Sequence, residues 1–234
     1  MLFSTLVVVF SPYLFWVGFN KRDLVKDILV KSSRKPIKED DSYQDDDLTN
    51  QSWTSAVGKL YLNAVEYQKQ EGFCGSATLR SIMKSIPSIL AEEIPPAKSG
   101  PMTLSKFSRL LDELSKGKTR SRVVFGSDGY DAFLTTLKQS NDVNRRVAIN
   151  FLRSPLFGSG SSYNPFLNVI KRFFGGHFSV IVGYNEAKDR VAVFDVNSSY
   201  GGLYHVSSRR LFDSVQTFDL QSGESRGLVE IEVV

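Results

Sequence analysis

Cysteine and histidine are the scarcest reactive residues in this sequence. Its 234 residues include one cysteine, Cys74, and two histidines, His177 and His205. A single cysteine excludes an intrachain disulfide framework, a C-x-x-C redox pair and a Cys-rich zinc module. We therefore predict no metal site and no intrinsic cofactor. Two interpretations of Cys74 stay open: it is either a small buried apolar residue or a reactive thiol.

A strong excess of charge of one sign is also lacking. The net charge is +4 and the opposite signs are interspersed, so we expect no nucleic-acid partner. The chain is 41% hydrophobic and 23% charged, proportions that exclude wholesale disorder, a collagen-like chain and a coiled coil. The length suits one domain of roughly 150–200 residues with an appendage.

Charge is absent altogether from the first twenty residues. Residues 2–19 are about long enough to span a bilayer, which predicts an anchor or signal segment over 1–20 and attachment to a membrane. The basic residues that follow favour a retained anchor with the body of the protein in the cytoplasm. A cleaved signal would instead place that body in the periplasm or outside the cell.

The next stretch is polar and acidic. Residues 33–54 carry an acidic cluster and few aliphatic side chains, so they cannot bury enough surface to fold alone. We therefore predict a linker over 21–54 and a catalytic domain over 55–234.

Apolar periodicity divides that domain into two parts. Helical spacing in 57–64, 79–86 and 107–114 precedes four strand-like segments at 147–152, 177–184, 190–196 and 227–234. This order predicts an α+β fold with a mostly antiparallel sheet. Residues 154–174 interrupt the strands, and we consider a lid, a membrane-surface contact and an ordinary insertion for them.

Cys74 stands immediately before one of the helical stripes. The free backbone N–H groups and the dipole at a helix N-terminus stabilise a thiolate and lower its pKa. Gly72 and Gly75 on either side permit a tight turn and the close approach of a substrate. This context favours a nucleophile.

A base and its orienting group follow from the strand pattern. His177 and Asp195 are equally distant from Glu186, so a hairpin centred there would make them cross-strand neighbours. His205 has no comparable partner and is interpreted as structural or exposed. Acyl transfer also needs an oxyanion donor, for which Gln68 is the candidate and Gln70 its competitor.

The order Gln, Cys, His, Asp resembles that of papain-like cysteine peptidases. The stretches YQKQEGFCGSA, VAINFLR, GGHFSVIVGYNEAKDRVAVFDV and ESRGLVEI more closely resemble the catalytic domain of phytochelatin synthases. The resemblance covers roughly residues 55–234. It implies a papain-like fold in which the helical part carries the cysteine and the antiparallel sheet carries the histidine and aspartate.

The same resemblance implies an activity, γ-glutamylcysteine transfer or hydrolysis on glutathione through a thioester on Cys74. His177 would be the general acid/base, Asp195 its orienting group and Gln68 the oxyanion donor. The implied substrate-binding residues are Arg226, Arg153, Gly75, Ser76 and Gly176. The implied partners are glutathione and its metal thiolate complexes, with Cd²⁺ or another heavy metal entering as part of the substrate.

Two other functions remain open at this point. One is a peptidase or amidase with the same triad and a different γ-glutamyl or peptide substrate. The other is an inert, membrane-tethered binding domain, in which Cys74 would not react with iodoacetamide near neutral pH. The sequence also leaves the oligomeric state open, a dimer included.

Overall fold

The computed structural model of the chain describes residues 22–158 and 176–234. These ranges contain eight α-helices and a six-stranded antiparallel sheet, which confirms the predicted α+β class. The helices are α1 (Arg22–Ser32), α2 (Asp46–Thr54), α3 (Ala56–Tyr61), α4 (Cys74–Lys84), α5 (Leu104–Leu114), α6 (Tyr130–Gln139), α7 (Arg153–Phe157) and α8 (Ser208–Val215). The strands are β1 (Thr119–Phe125), β2 (Arg145–Leu152), β3 (Gly176–Asn185), β4 (Arg190–Phe194), β5 (Leu203–Val206) and β6 (Gly227–Val233).

The sheet separates two apolar cores. Its strand order is β1-β6-β2-β3-β4-β5. Because side chains alternate along a strand, Val180 and Val182 of β3 face a core shared with α3, α4 and α5, whereas Ile181 faces a second core with α6 and α8. The central strands are buried on both faces for this reason, and they give α4 a rigid support.

Residues 22–54 differ from the expected linker, because much of this stretch is folded against the sheet. Ile37, Tyr43 and Leu48 are all buried, with at most 4% of each side chain exposed. Asp45 starts α2 by accepting a hydrogen bond from the Leu48 N–H at 2.8 Å. The carbonyl of Tyr43 accepts the N–H of His205 at 2.9 Å, so this segment covers the outer edge of β5. A few apolar side chains dock the polar stretch, although it could not fold alone.

The predicted membrane attachment is corrected. Across residues 22–158 and 176–234, no helix combines the length and apolar character needed to cross a bilayer. The segment that motivated the prediction, residues 2–19, lies outside the described residues. Membrane localisation is therefore not retained. Most of the insertion over 154–174 also lies outside them, and only its beginning is described, within α7 and residue 158.

Candidate active site

Cys74 is the first residue of α4. The preceding residue, Phe73, offers no side-chain cap, so the N–H groups of the first turn are left to a ligand or to the thiolate. Gly72 reaches this turn with φ +86°, a conformation that glycine adopts without strain. Gly75 is buried against Met102, and a Cβ at position 75 would lie 2.9 Å from the Met102 Cβ. These features place the thiol at an open helix end.

His177 and Asp195 lie together at one end of the sheet, but not in the register that the sequence predicted. A bulge between Ile181 and Gly183 shifts the β3–β4 pairing, so Phe194 pairs with Val180. Asp195 is consequently the diagonal neighbour of His177 on the same face. Their side chains are completely buried, and His177 Nε2 lies 2.6 Å from Asp195 Oδ1.

The charges of His177 and Asp195 determine the direction in which the pKa values of His177 and Cys74 are shifted. Burial lowers the pKa of His177, but the negative charge of Asp195 and the hydrogen bond to it raise that pKa to about 9. Burial raises the pKa of the Cys74 thiol, but the neighbouring His177, as hydrogen-bond partner and as positive charge, brings it below its usual value. The positive charge of His177 therefore favours the thiolate form of Cys74.

The free ring nitrogen of His177 is Nδ1. It is buried and makes no complete hydrogen bond within the described residues. Because Nε2 is held by Asp195, Nδ1 is the ring nitrogen left to exchange a proton with another group.

Beside the thiol is a cavity of about 240 Å³. Its wall includes Cys74, Asn150, Gly176, Asp219 and Arg226. The buried guanidinium of Arg226 donates to Asn150 Oδ1 at 2.8 Å and lies 3.5 Å from Asp219 Oδ1. Its Nε is buried and has no partner among the described residues. The cavity therefore presents a cation and an anion next to the Cys74 thiol.

Gly176 explains how the arginine reaches this wall. A Cβ at position 176 would collide with the guanidinium of Arg226. Of the residues expected to bind substrate, Gly176 and Arg226 thus line the cavity, whereas Gly75 packs against Met102, which is itself part of the cavity wall. The hydroxyl of Ser76 accepts the backbone N–H of Lys98 at 3.0 Å, so this residue holds the loop that precedes Met102.

Arg153 belongs to a different cluster. Its guanidinium donates to Glu71 Oε2 at 3.0 Å and to the hydroxyl of Tyr200 at 3.3 Å. Glu71 also accepts from the side-chain amide of Asn197 at 3.1 Å. The positive charge of Arg153 contributes to the lowered pKa of Cys74. This cluster joins the loop before Cys74 to the chain that follows Asp195.

The structure separates the two candidate oxyanion donors by burial. The backbone N–H of Gln68 donates to the carbonyl of Val196 at 2.6 Å, next to Asp195. The side-chain Oε1 of Gln68 is buried and has no partner among the described residues. Gln70 is exposed. These positions favour Gln68, and its role stays a prediction.

Sequence reasoning missed several residues of the site. Asn150 was visible as the first residue of the NFLR stretch, but it was not assigned a role. Asp219 lies seven residues before Arg226 and reaches it through a tight turn, in which the Asp219 N–H donates to the Glu224 carbonyl at 2.7 Å. No local pattern marks Glu71 or Asn197, because they contact each other and Glu71 contacts Arg153 across distances of 82 residues or more in sequence. Asp219 is close to Arg226 in sequence, but no motif distinguishes it from the other acidic residues.

Taken together, a thiol at a helix N-terminus, a buried imidazole–carboxylate pair and a charged cavity are equipped for thiol-dependent acyl transfer. The family model for phytochelatin synthase matches residues 91–228, which is more than half of the chain. The protein belongs to the phytochelatin synthase family. No match is found among curated proteins.

Family membership supports, in general terms, the transfer of γ-glutamylcysteine from glutathione by an enzyme of the γ-glutamylcysteinyltransferase kind. The matched residues include His177, Asp195, Arg153 and Arg226, but the match begins after Cys74. The match therefore does not bear on Cys74, and its role as nucleophile stays a prediction.

Proposed function

We propose that this protein cleaves glutathione through a thioester on Cys74 and releases glycine. The observation that carries the proposal is the cavity beside Cys74, which holds the opposite charges of Arg226 and Asp219 together with Asn150. A γ-glutamyl group carries an α-carboxylate and an α-ammonium, and these complement a guanidinium and a carboxylate. A γ-glutamyl group bound there would bring the cysteinyl carbonyl of the substrate to the Cys74 thiol, which lines the same cavity.

In the first step the Cys74 thiolate attacks the carbonyl carbon of the Cys–Gly bond. The backbone N–H of Cys74 and the Gln68 amide stabilise the oxyanion. The C–N bond then breaks as His177 gives its proton to the nitrogen of the leaving glycine. Asp195 keeps the imidazole oriented and stabilises its positive charge. The product on the enzyme is a γ-Glu-Cys thioester.

In the second step neutral His177 takes a proton from the attacking group. Attack by water yields γ-glutamylcysteine, and attack by the α-amino group of a second glutathione yields (γ-Glu-Cys)₂-Gly. In either reaction the C–S bond breaks, the Cys74 thiolate leaves, and the proton stays on His177, which restores the starting ion pair. A heavy metal such as Cd²⁺ takes part as the thiolate complex of glutathione, which makes it a component of the substrate.

Mass spectrometry of the products tests the proposal. The full chain is incubated with glutathione, with and without Cd²⁺, and Cys74→Ser is the matched control. We expect glycine together with γ-glutamylcysteine, (γ-Glu-Cys)₂-Gly or both, and none of these from the variant. Intact glutathione, with cleavage of other γ-glutamyl compounds or peptides, would contradict the proposal and favour a peptidase or amidase.

A further inference from the structure

Among the described residues, hydrogen-bond donors reach only one of the two carboxylate oxygens of Asp195. Oδ1 accepts from His177 Nε2 at 2.6 Å and from the Asn197 N–H at 2.8 Å. Oδ2 is buried and has no complete hydrogen bond within the described residues. Leaving a buried carboxylate oxygen without a donor is unfavourable, so a donor is needed on that side.

Tyr204 is the side chain placed to supply that donor. It pairs directly with Val193 across β4 and β5, and Asp195 lies two residues beyond Val193. Diagonal neighbours on one face of a sheet lie within reach of a long aromatic side chain. Tyr204 is completely buried, and its hydroxyl also lacks a complete hydrogen bond in the described part of the chain.

We propose that Tyr204 is a positioning residue, whose phenol donates to Oδ2 of Asp195 and so fixes the carboxylate that orients His177. The inference rests on the proposed function, because it assigns Tyr204 to the same acyl-transfer site. A phenol offers one O–H donor and a carboxylate oxygen only accepts, so the two groups without partners are complementary.

The ring of Tyr204 is held in place on two sides. It stacks on Tyr43 with ring centroids 5.1 Å apart and meets the ring of Phe157 edge-on at 5.5 Å. The hydroxyl of Tyr43 already donates to the carbonyl of Tyr200 at 2.8 Å. A buried ring packed in this way keeps its hydroxyl directed at one place.

The charges around the pair keep the phenol protonated. Burial and then the negative charge of Asp195 raise the pKa of Tyr204 well above its usual value. The other titratable groups nearby are His177, Cys74, Tyr43, Tyr200 and the Arg153–Glu71 ion pair. Tyr204 therefore keeps its proton near neutral pH, so the donor stays available through the working range.

The pH dependence of Cys74 alkylation by iodoacetamide tests this role without glutathione. The rate reports formation of the thiolate at lower pH and loss of the His177 proton at higher pH. In Tyr204→Phe the lone Asp195 charge is less stabilised once His177 is neutral. We therefore expect the upper step to move from about 9 to a value higher by about half a pH unit or more.

Tyr61→Phe is the matched control. Tyr61 is also completely buried and has no complete hydrogen bond at its hydroxyl in the described residues, but it lies in the opposite core beside Arg146. We expect Tyr61→Phe to leave both steps unchanged. If Tyr204→Phe does not fold, Tyr204→Met fills the site without a hydroxyl and serves the same comparison.

The rate of glycine release from glutathione is a second measurement of the effect of Tyr204. A hydrogen bond to a charged group predicts about a tenfold loss for Tyr204→Phe. An upper alkylation step equal to that of the native protein would overturn the role of Tyr204. If the native protein releases no glycine from glutathione, the proposed function fails instead, while alkylation still decides the role of Tyr204.

Discussion

His177 and His205 are both buried on the same sheet, but their surroundings are opposite. His177 faces the carboxylate of Asp195, and its pKa is raised to about 9. His205 lies beneath α2, where its Nε2 is 3.1 Å from the hydroxyl of Ser52. Burial and the positive charge of Arg190 prevail over the attraction of Asp45 there and lower its pKa to about 4. The imidazole of His177 therefore holds a proton near neutral pH, and that of His205 stays neutral.

Burial lowers the pKa of both histidines, so the neighbouring charges decide which of them holds a proton near neutral pH. Both are at most 2% exposed, so exposure would not separate them. A nearby carboxylate and thiol make His177 a proton carrier, whereas hydroxyl and backbone groups make His205 part of the packing between α2 and the sheet.

Removing each imidazole is the strongest test of this contrast. We expect His177→Ala to lower glycine release from glutathione by about a thousandfold or more, because the general acid and base is lost. His205→Ala should retain most of the activity when assayed at equal amounts of folded protein. Comparable losses in the two variants would show that the assignment of His177 is wrong.

The carboxylate beside His177 is the next most sensitive group. Asp195→Asn keeps the size of the side chain but removes the charge and favours the wrong imidazole tautomer. We expect about a hundredfold slower acylation with substrate binding retained, measured by rapid-quench kinetics. An unchanged acylation rate would make Asp195 a structural residue only.

A smaller effect is expected at the cavity wall. In Gly176→Ala the added methyl group displaces the guanidinium of Arg226, so we predict about a tenfold higher KM for glutathione. Gly183→Ala on the same strand is the control, because its Cβ would meet only the Asn141 side-chain oxygen, at 3.1 Å. Equal KM values in the two variants would remove Arg226 from substrate binding.

The smallest expected effect is on the free energy of unfolding, whose pH dependence has opposite signs for the two histidines. Unfolded histidine binds a proton near pH 6.5, but His205 in the folded state does so only near 4, so stability falls as the pH drops from 6.5 to 4. The contribution of His177 is instead complete below 6.5 and is lost as the pH rises through about 9.

Urea unfolding of His205→Gln and of the native protein, at pH 7 and at pH 4.5, measures the contribution of His205 to the pH dependence of stability. The acid-induced loss should be smaller in the variant by on the order of 1–2 kcal/mol. An equal loss in both proteins would mean that His205 does not resist protonation in the folded state.

Local patterns predicted the elements that carry the reaction. The four expected strands correspond to β2, β3, β4 and β6, and the helix after Cys74 is α4. These segments have continuous apolar character, because both faces of a central strand are buried. The pairing of His177 with Asp195 was also expected, but the bulge at Ile181/Gly183 was not, since no residue type marks it.

Features that depend on distant contacts were not predictable. The strands β1 and β5 lie at the two edges of the sheet and are less apolar or very short. The fold of residues 22–54 depends on docking against β5 and not on their own composition. The turn that brings Asp219 to Arg226 is marked by Ser222 and Gly223, but nothing in it marks Asp219 as a residue of the site.

The most direct test is the intact mass of the protein after rapid acid quench with glutathione. The account predicts a fraction of the native protein with one added γ-Glu-Cys group, located on Cys74 by peptide mapping. It predicts no adduct on Cys74→Ser. It also predicts that the γ-Glu-Cys adduct accumulates only in protein that retains His177. Complete conversion of glutathione with Cys74 unmodified at all quench times, or activity retained in Cys74→Ser, would contradict a thioester on this residue.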